Sequence, residues 1–380
     1  MQKIILSSTV PLSLDIFCRG LLRELSSEYE VVAVSSPEPE LDAVAVREGV
    51  RIAGVPMRRR ISPLHDAAAL WRLVRLFRRE RPQMVHSITP KAGLLSMVAA
   101  RIAGVPVRVH TFTGLVFPTS EGLRRRLLML TDRITCRCAT HVIAEGEGVR
   151  SDLLGHGITK KEVRVLGYGN VRGVDMSYYD STPAIAAAAA EIRGALGVSP
   201  ATFTFVFAGR VVRDKGIDEL AEAFCRLCDE GMDVRLLLAG GEDSGNPISE
   251  SAREALRSNG RILRAGWVSD VRPYYAAADA LVFPSYREGF PNVVLEAGAM
   301  GLPSIVTDIN GSREIVADGQ NGVIVPPRDA EALYAAMKSM AEDRPKRDGM
   351  AGKARAMVAS RYEQDFVRGN LKNFYRSVLE

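Results

Sequence analysis

The sequence predicts an α/β fold of two doubly wound parallel sheets, and three observations support this prediction. Short apolar runs that end in Gly, Ser or Pro alternate with longer helical stretches along the whole chain. The runs are rich in Val, Ile and Leu at consecutive positions, as expected of parallel strands that are covered by helices on both faces. The length of 380 residues exceeds what one ordinary core accommodates and indicates about two domains.

The predicted strands share this apolar character, and the segments of about 12 to 20 residues between them suit crossover helices. In chain order, examples of these strands are KIILSS, EVVAVSS, MVHSI, VRVHTF, HVIAEG, EVRVLG, FTFVFAG, VRLLLAG, LVFPS and PSIVT. The fragment RIAGVP occurs at 51–56 and again at 101–106. We interpret both copies as the glycine that closes a helix, followed by the proline that opens the next strand.

The strand pattern breaks between residues 171 and 200 and begins again at Phe203. This break predicts a first Rossmann-like domain over 1–175 and a second over 176–363. Ligands of doubly wound sheets bind beyond the carboxyl ends of the strands. We therefore expect the two domains to face each other across a cleft that holds the site.

Composition excludes several classes of protein. Hydrophobic residues make up 47% of the chain and charged residues 25%, which argues against disorder, a collagen-like repeat or a disulfide scaffold. The five cysteines are sparse and odd in number, as in a reducing compartment. No uncharged apolar run reaches the roughly 18 residues of a membrane span, and the opening MQKIILSSTVPLSL reads as a first strand rather than a cleaved signal. We expect a cytoplasmic protein.

Charge is unevenly distributed along the chain. Residues 1–170 carry a balance of +9, whereas the remainder carries −4. The excess lies in three arginine clusters, namely Arg58–Arg60, Arg72–Arg81 and Arg124–Arg126. In the last two, arginines alternate with Leu, Phe and Trp71, so these helices either lie on an anionic membrane surface or present a solvated face over a sheet. Nucleic acid is disfavoured, because the aromatic content is only 6% and no recognised binding motif occurs.

The segment SYREGFPNVVLEAGAMGLPSIV, residues 285–306, holds two glutamates eight positions apart, Glu288 and Glu296. Pro291 is placed to open a helix, so the amides of the next three residues, Asn292, Val293 and Val294, face an anion at its N-terminus. Glu296 can accept hydrogen bonds from two vicinal hydroxyls of a ribose, and Glu288 from hydroxyls further along the ligand. Two isolated glutamates would instead be read as ordinary charges near a helix start.

A second motif accompanies these glutamates. In FTFVFAGRVVRDKGIDEL, residues 203–220, a predicted strand ends at Gly209 and is followed by Arg210, Arg213 and Lys215. Cations five positions apart on such a loop can straddle a diphosphate and stabilise the charge that develops on a departing phosphate. A basic loop alone would carry little information. Together with the two glutamates, the loop indicates a sugar nucleotide.

These residues resemble the GT-B glycosyltransferases of family 4. The match rests on Gly209-Arg210 with Lys215-Gly216, on Glu288-Gly289-Phe290-Pro291 with Glu296, and on the loop Asp308 to Glu314; VHSITPKAG, VRVHTFTG and GNVRGVD match more weakly. The resemblance implies GT-B architecture, retention of anomeric configuration, no metal ion and no cofactor. It also implies a donor site formed by Gly209, Arg210, Lys215, Glu288, Phe290, Asn292, Val293, Val294 and Glu296. The C-terminal helix, 364–380, would cross back to the first domain.

The resemblance further implies that His110 is the active-site histidine, so the candidate catalytic residues are His110, Glu288, Arg210 and Lys215. A buried structural histidine is the alternative for His110, and we expect a structural role for His86. Thr9 and Lys91 are candidate acceptor contacts.

The loop after the first strand lacks the glycines of many family members. A zinc site is disfavoured, because the cysteine pairs lie on predicted helices, Cys136 with Cys138 and Cys225 with Cys228.

We therefore predict a retaining glycosyltransferase of capsule or O-antigen-like surface polysaccharide biosynthesis. The donor is a nucleotide-diphosphate sugar, a UDP-sugar in preference to a GDP-sugar, and the acceptor is a carbohydrate or an undecaprenyl-linked sugar. We also expect peripheral contact between the basic first domain and the inner face of the membrane. Two alternatives remain open, a sugar-nucleotide epimerase of the same architecture and a non-catalytic subunit of a polysaccharide assembly complex.

Overall fold

The computed structural model describes residues 1–199 and 201–380. The chain forms two compact units, one of Met1–Gly173 with Asp365–Glu380 and the other of Val174–Gln364. Each unit contains one sheet of parallel strands with helices, so the α/β class is confirmed. Within the described residues, no helix combines the length and the apolarity needed to cross a bilayer.

The first unit contains a seven-stranded parallel sheet. Its strands are β1 (Lys3–Ser7), β2 (Glu30–Ser35), β3 (Arg51–Gly54), β4 (Met84–Ile88), β5 (Val107–Phe112), β6 (His141–Ala144) and β7 (Val163–Arg164), in the order β3-β2-β1-β4-β5-β6-β7. Its helices are α1 (Pro11–Cys18), α2 (Leu21–Ser26), α3 (Pro39–Glu48), α4 (Pro63–Glu80), α5 (Pro90–Ala103), α6 (Gly122–Cys138) and α7 (Glu147–Gly155), with a 3₁₀ turn at Phe117–Thr119.

The second unit contains a six-stranded parallel sheet. Its strands are β8 (Phe203–Ala208), β9 (Val234–Ala239), β10 (Ile262–Gly266), β11 (Ala280–Phe283), β12 (Ser304–Thr307) and β13 (Gly322–Val325), in the order β10-β9-β8-β11-β12-β13. Its helices are α8 (Pro183–Ala195), α9 (Ile217–Asp229), α10 (Glu250–Ser258), α11 (Arg272–Ala276), α12 (Asn292–Ala299), α13 (Ser312–Ile315), α14 (Ala330–Glu342) and α15 (Arg344–Tyr362), with a 3₁₀ turn at Arg213–Lys215.

The last helix, α16 (Gln364–Leu379), packs against the first sheet. It buries Leu371, Phe374 and Tyr375 in the same core cluster as residues of β1, β2 and β4. The Tyr375 hydroxyl lies 2.5 Å from Nδ1 of His86 on β4. The buried face of α16 is therefore part of the first unit's core.

The two copies of RIAGVP differ in structure, which corrects our interpretation of the first copy. At 101–106 a helix does end, since α5 stops at Ala103 and Gly104 takes a φ of +76°. At 51–56 the first four residues of the fragment form strand β3, which pairs in parallel with β2. The helix before the first copy has already ended at Gly49, so the residues after it are free to extend along the sheet.

Helix α6 carries a carboxylate whose environment disfavours ionisation. Burial raises the pKa of Asp132 to about 7. Below this pH the folded protein keeps Asp132 neutral, whereas an unfolded aspartate ionises near pH 4. The stabilising effect of the neutral form is therefore complete below about pH 4 and is lost as the pH rises from there to about 7.

We predict that Asp132→Asn raises the thermal midpoint more at pH 8.5 than at pH 5. Asparagine stays neutral at both pH values. The difference in the free energy of unfolding between pH 5 and pH 8.5 should therefore be smaller in the variant than in the wild type, by about 1–3 kcal/mol. Differential scanning calorimetry of the variant measures this effect, with Asp42→Asn at an exposed position of α3 as control. Equal gains at both pH values would show that Asp132 is ionised throughout the range.

Candidate functional site

The strand order of the second sheet reverses between β8 and β11. Strands β9 and β10 extend the sheet on one side of β8, whereas β11, β12 and β13 extend it on the other. Ligands of doubly wound sheets bind at this reversal, beyond the carboxyl ends of the strands. The two loops that leave this point are 209–216 after β8 and 284–291 after β11.

Several hydrogen bonds fasten the two loops together. The amide of Tyr286 and the hydroxyl of Ser285 both donate to the carbonyl oxygen of Asp214, at 2.8 and 3.2 Å. Gly216 has a φ of +69°, and a Cβ there would lie 2.1 Å from the carbonyl oxygen of Pro284. Only glycine combines this backbone conformation with so close an approach.

Lys215 and Glu288 form an ion pair where the two loops meet. Each side chain is only 17% exposed. The hydroxyl of Ser285 donates to Oε1 of Glu288 at 2.7 Å, and Nζ of Lys215 lies 4.8 Å from the centre of the Phe283 ring. The structure thus brings together two residues that the sequence analysis singled out from segments 73 positions apart.

The loop after β12 supports the same region. Gly311, with a φ of +76°, approaches so closely that a Cβ would lie 2.6 Å from the carbonyl oxygen of Gly289. The hydroxyl of Thr307 donates to the carbonyl oxygen of Ser285. Loops from three adjacent strands, β8, β11 and β12, are therefore packed against one another around the ion pair.

Helix α12 starts at Asn292, directly after Pro291, and carries Glu296 in its second turn. Glu296 is only 8% exposed, and the hydroxyl of Tyr275 donates to it at 3.4 Å. The prediction of three anion-facing amides requires a correction, because the amide of Val294 donates to the carbonyl oxygen of Pro291 at 3.1 Å. The side chain of Phe290 is buried, with its ring 5.4 Å from that of Tyr362.

Arg210 faces an acid that the sequence analysis did not consider. Its exposed guanidinium donates to Asp243, in the loop after β9, at 2.8 Å. Strand β8 ends at Ala208, one residue before the predicted end, and the amide of Gly209 donates to the carbonyl oxygen of Ala239 at 2.9 Å. Arg213 lies 3.7 Å from Asp218 on α9. Glycines and acids directly after a strand, as in AGGED at 239–243, are the signal that marks this loop.

A cavity of about 470 Å³ opens at the carboxyl ends of β8, β9 and β10. Glu242 and Arg264, which are paired at 2.6 Å, both line it. The cavity lies on the β9 side of the reversal, whereas Lys215 and Glu288 lie at the reversal itself. The second unit therefore has the Lys215–Glu288 ion pair at the middle of the carboxyl edge of its sheet and an open cavity beside it.

In the first unit, His110 is buried within β5, which continues to Phe112 rather than ending at the histidine. Its Nδ1 lies 2.9 Å from the hydroxyl and 3.0 Å from the carbonyl oxygen of Ser87, the residue opposite it on β4. A Cβ at Gly93 would lie 2.3 Å from Cε1 of the ring. Burial lowers the pKa of His110 to about 4, so the ring is neutral at physiological pH.

His86, on β4, uses both ring nitrogens within the first unit. Nδ1 lies 2.5 Å from the Tyr375 hydroxyl, and Nε2 lies 2.7 Å from Oγ1 of Thr111. Burial lowers its pKa to about 3. These contacts tie β4, β5 and α16 together, which is a structural role.

The two predicted acceptor contacts are both engaged within the first unit. Thr9 follows β1, and its hydroxyl lies 2.9 Å from that of Thr89, at the strand-order reversal between β1 and β4. Nζ of Lys91 donates to both carboxylate oxygens of Asp66 at 2.8 and 2.9 Å and to the carbonyl oxygen of Arg60. Among the described residues, no group of three or more His, Cys, Asp or Glu side chains could hold a metal ion.

Comparison with known proteins gives consistent matches to both units. Residues 16–169 match the family described as "Glycosyl transferase 4-like domain", and residues 202–343 match "Glycosyl transferases group 1". The capsular polysaccharide biosynthesis glycosyltransferase CapM of Staphylococcus aureus is 31% identical over 329 residues, which cover 86% of this chain and 85% of CapM. An Escherichia coli enzyme named UDP-Gal:alpha-D-GlcNAc-diphosphoundecaprenol alpha-1,3-galactosyltransferase is 28% identical over 78% of this chain and 76% of its own length.

Solved structures match at lower identity. Anabaena HepE in complex with UDP and glucose has a TM-score of 0.82 at 18% identity and covers 99% of this chain and 100% of its own. WaaG, a glycosyltransferase of lipopolysaccharide biosynthesis, has a TM-score of 0.72 at 17% identity and covers 96% of this chain and 98% of its own. These likenesses establish the GT-B fold. With the extended match to CapM, they show that the chain belongs to family 4 of the GT-B glycosyltransferases.

Proposed function

We propose that this glycosyltransferase moves a sugar from a nucleotide-diphosphate sugar to a carbohydrate or lipid-linked sugar acceptor in surface polysaccharide biosynthesis. The observation that carries the proposal is the shielded Lys215–Glu288 pair at the strand-order reversal. The names of the relatives support the process, since one acts in capsular polysaccharide biosynthesis and another transfers to a diphosphoundecaprenol-linked sugar. The UDP bound by HepE supports a UDP-sugar over a GDP-sugar as donor.

We assign the donor contacts by chemistry. The buried carboxylate of Glu296 accepts hydrogen bonds from the two ribose hydroxyls. The N-terminus of α12 favours negative charge through its dipole and its first amides, those of Asn292 and Val293. Lys215 and Arg210 contact the diphosphate, and Arg210 can turn away from Asp243 because its side chain is 63% exposed. Glu288 accepts hydrogen bonds from hydroxyls of the sugar.

The proposed reaction retains the anomeric configuration and needs no metal ion. The acceptor hydroxyl forms its new C–O bond on the face from which the diphosphate departs, as the bond between the anomeric carbon and the phosphate oxygen breaks. The hydroxyl proton passes to the departing phosphate oxygen, and Lys215 and Arg210 stabilise the charge on that group. The neutral His110 acts as a hydrogen-bonding partner of a sugar hydroxyl and not as a general acid, because a pKa of about 4 leaves no imidazolium form near pH 7.

Lys215→Ala should lower kcat by about 100- to 1,000-fold, because the departing diphosphate loses a cation in the transition state. The measurement is acceptor-dependent release of UDP from a UDP-sugar. Lys338→Ala serves as control, since Lys338 pairs with Glu230 elsewhere in the same unit. Near-normal turnover of Lys215→Ala would refute the charge assignment.

The same assay distinguishes the proposal from the two alternatives. A sugar-nucleotide epimerase would convert the donor sugar with no acceptor present. A non-catalytic subunit would bind the nucleotide and show no turnover on any acceptor. Release of UDP that requires an acceptor is expected only of a transferase.

Saturating UDP should raise the thermal midpoint of the wild type, and Glu296→Ala should abolish this shift. Binding stabilises a fold by about 2.7 kcal/mol at a hundred times the dissociation constant, which a thermal melt detects easily. Glu222→Ala, which removes an exposed acid from α9, should leave the shift intact. A larger shift with GDP than with UDP would contradict the proposed base preference.

We further propose that the protein associates with the inner face of the cytoplasmic membrane through helix α6. Leu123, Leu127, Leu130 and Ile134 are exposed at spacings that place them on one face of this helix. Exposed arginines accompany them at positions 124, 126, 133 and 137. An apolar stripe flanked by arginines suits the headgroup region of an anionic membrane.

Leu127→Glu/Leu130→Glu should abolish sedimentation with vesicles that contain phosphatidylglycerol at low salt. The change places two carboxylates where the helix would enter the headgroup region. Val46→Glu, at an exposed position of α3, is the control and should still sediment. Failure of the wild type to sediment would mean that the α6 stripe is a solvated surface.

A further inference from the structure

A cavity of about 710 Å³ opens where the first three strands of the first sheet end. Its walls come from Val10 after β1, from 36–38 after β2 and from 56–62 after β3. Three consecutive lining residues are arginines, Arg58, Arg59 and Arg60. The cavity thus lies at the carboxyl edge of the sheet, where doubly wound domains bind their ligands.

The charge of this cavity is not neutralised by the protein. Arg58, Arg59 and Arg60 are exposed, and none of them forms an ion pair with any acid in the described part of the chain. Arg51, a few residues earlier, does pair with acids, at 2.7 and 3.2 Å. Glu38 is the one acid among the lining residues and lies beyond ion-pair distance of the three arginines. The cavity therefore carries a net positive charge that fits a doubly charged anion.

The strand ends that form the cavity are held in place. The hydroxyl of Ser36 donates to the carbonyl oxygen of Thr9 at 2.8 Å, and the amide of Met57 donates to the same hydroxyl at 3.0 Å. Ser36 is buried, so one side chain links the segments after β1, β2 and β3. The base of the arginine loop is therefore fixed before any ligand arrives.

Lys91 fixes the other end of the arginine loop. It donates to the carbonyl oxygen of Arg60 while its charge is neutralised by Asp66. Asp66 in turn accepts a hydrogen bond from the amide of Ser62 at 3.1 Å. Lys91 therefore positions the loop and is not available to bind an anion, because its charge is neutralised by Asp66. The three arginines of the loop are the cations that can do so.

We propose that Arg58, Arg59 and Arg60 form the subsite for a phosphate or diphosphate ester of the acceptor, and that Lys91 is a positioning residue for this loop. The proposal rests on the proposed function and deepens it, because it makes the acceptor an anionic, phosphate-bearing glycan carrier. One guanidinium group can donate two hydrogen bonds to two oxygens of a phosphate. Three arginines therefore match the charge of a diphosphate better than that of a single carboxylate. A membrane phospholipid presents the same phosphate chemistry, so the test separates the two sources.

The test compares two triple variants of equal charge change in the full chain. Arg58→Gln/Arg59→Gln/Arg60→Gln removes the cavity arginines, and Arg124→Gln/Arg125→Gln/Arg126→Gln removes three arginines from α6. Farnesyl diphosphate and inorganic pyrophosphate are titrated calorimetrically at physiological salt, with the donor site filled by UDP. We expect the first variant to weaken binding of both probes by about 10- to 100-fold, since charge-assisted hydrogen bonds are lost, and the second to bind as the wild type does.

Equal affinities of the two triple variants would overturn the subsite. So would a cavity variant that still binds farnesyl diphosphate but no longer sediments with phosphatidylglycerol vesicles, since the arginines would then contact lipid headgroups. The thermal shift with UDP should be the same in both variants and the wild type, which also reports that they fold. If UDP did not raise the thermal midpoint of the wild type, the proposed donor site would be refuted. The arginine subsite would still be tested, because both triple variants have the same donor site and differ only in which arginines they lack.

The role of Lys91 has its own readout. Lys91→Met should raise the KM for a diphosphate-linked acceptor and leave kcat and the UDP shift unchanged, and Lys91→Arg should restore the KM. Loss of kcat with an unchanged KM would mean that Lys91 does not act through the arginine loop.

Discussion

The candidate site of the second unit depends on one constraint, the reversal of strand order between β8 and β11. Right-handed crossovers on the two sides of this point place α9 and α12 on opposite faces of the sheet, so the loops before them meet at its carboxyl edge, where doubly wound sheets bind their ligands. Lys215 and Glu288 occupy that point and are shielded from water. Removing either partner of such a pair leaves a charge that the protein cannot solvate. The close loop contacts at Gly216 and Gly311 keep the pair assembled.

Much of the fold could be predicted from the sequence, because parallel strands buried on both faces leave a strong apolar signature. The start of the second sheet at Phe203 and the helix after Pro291 are examples. Strands β3, β10 and β13 did not show this signature. β3 and β10 are partly exposed, and β13 is a short strand that begins with glycine. The fragment RIAGVP shows the limit well, since its first residues form a strand in one copy and end a helix in the other, according to what precedes them.

The residue types of the site could also be predicted, but their partners could not. The sequence indicated a basic loop and two glutamates, yet it did not indicate that Arg210 would face Asp243 or that Ser285 would donate to Glu288. Such pairs join segments that are distant in the chain or depend on the rotamers of a turn. The two histidines illustrate the same point. Both are buried and neutral, and they lie on adjacent strands. His86 has hydrogen-bond partners at both ring nitrogens, whereas within the described residues His110 has one only at Nδ1, namely Ser87.

The return of α16 to the first sheet has a consequence for the order of events during synthesis. The hydrogen bond between His86 and Tyr375 spans 289 positions, and Leu371 and Phe374 complete the core that β1 begins. The second unit, Val174–Gln364, is continuous in sequence and can close its own core as soon as it leaves the ribosome. The first unit emerges earlier, but its core is complete only after α16, which follows the whole second unit, has been synthesised. Until then the first sheet has an uncovered apolar patch, and a nascent chain that stalls before α16 is exposed to aggregation there.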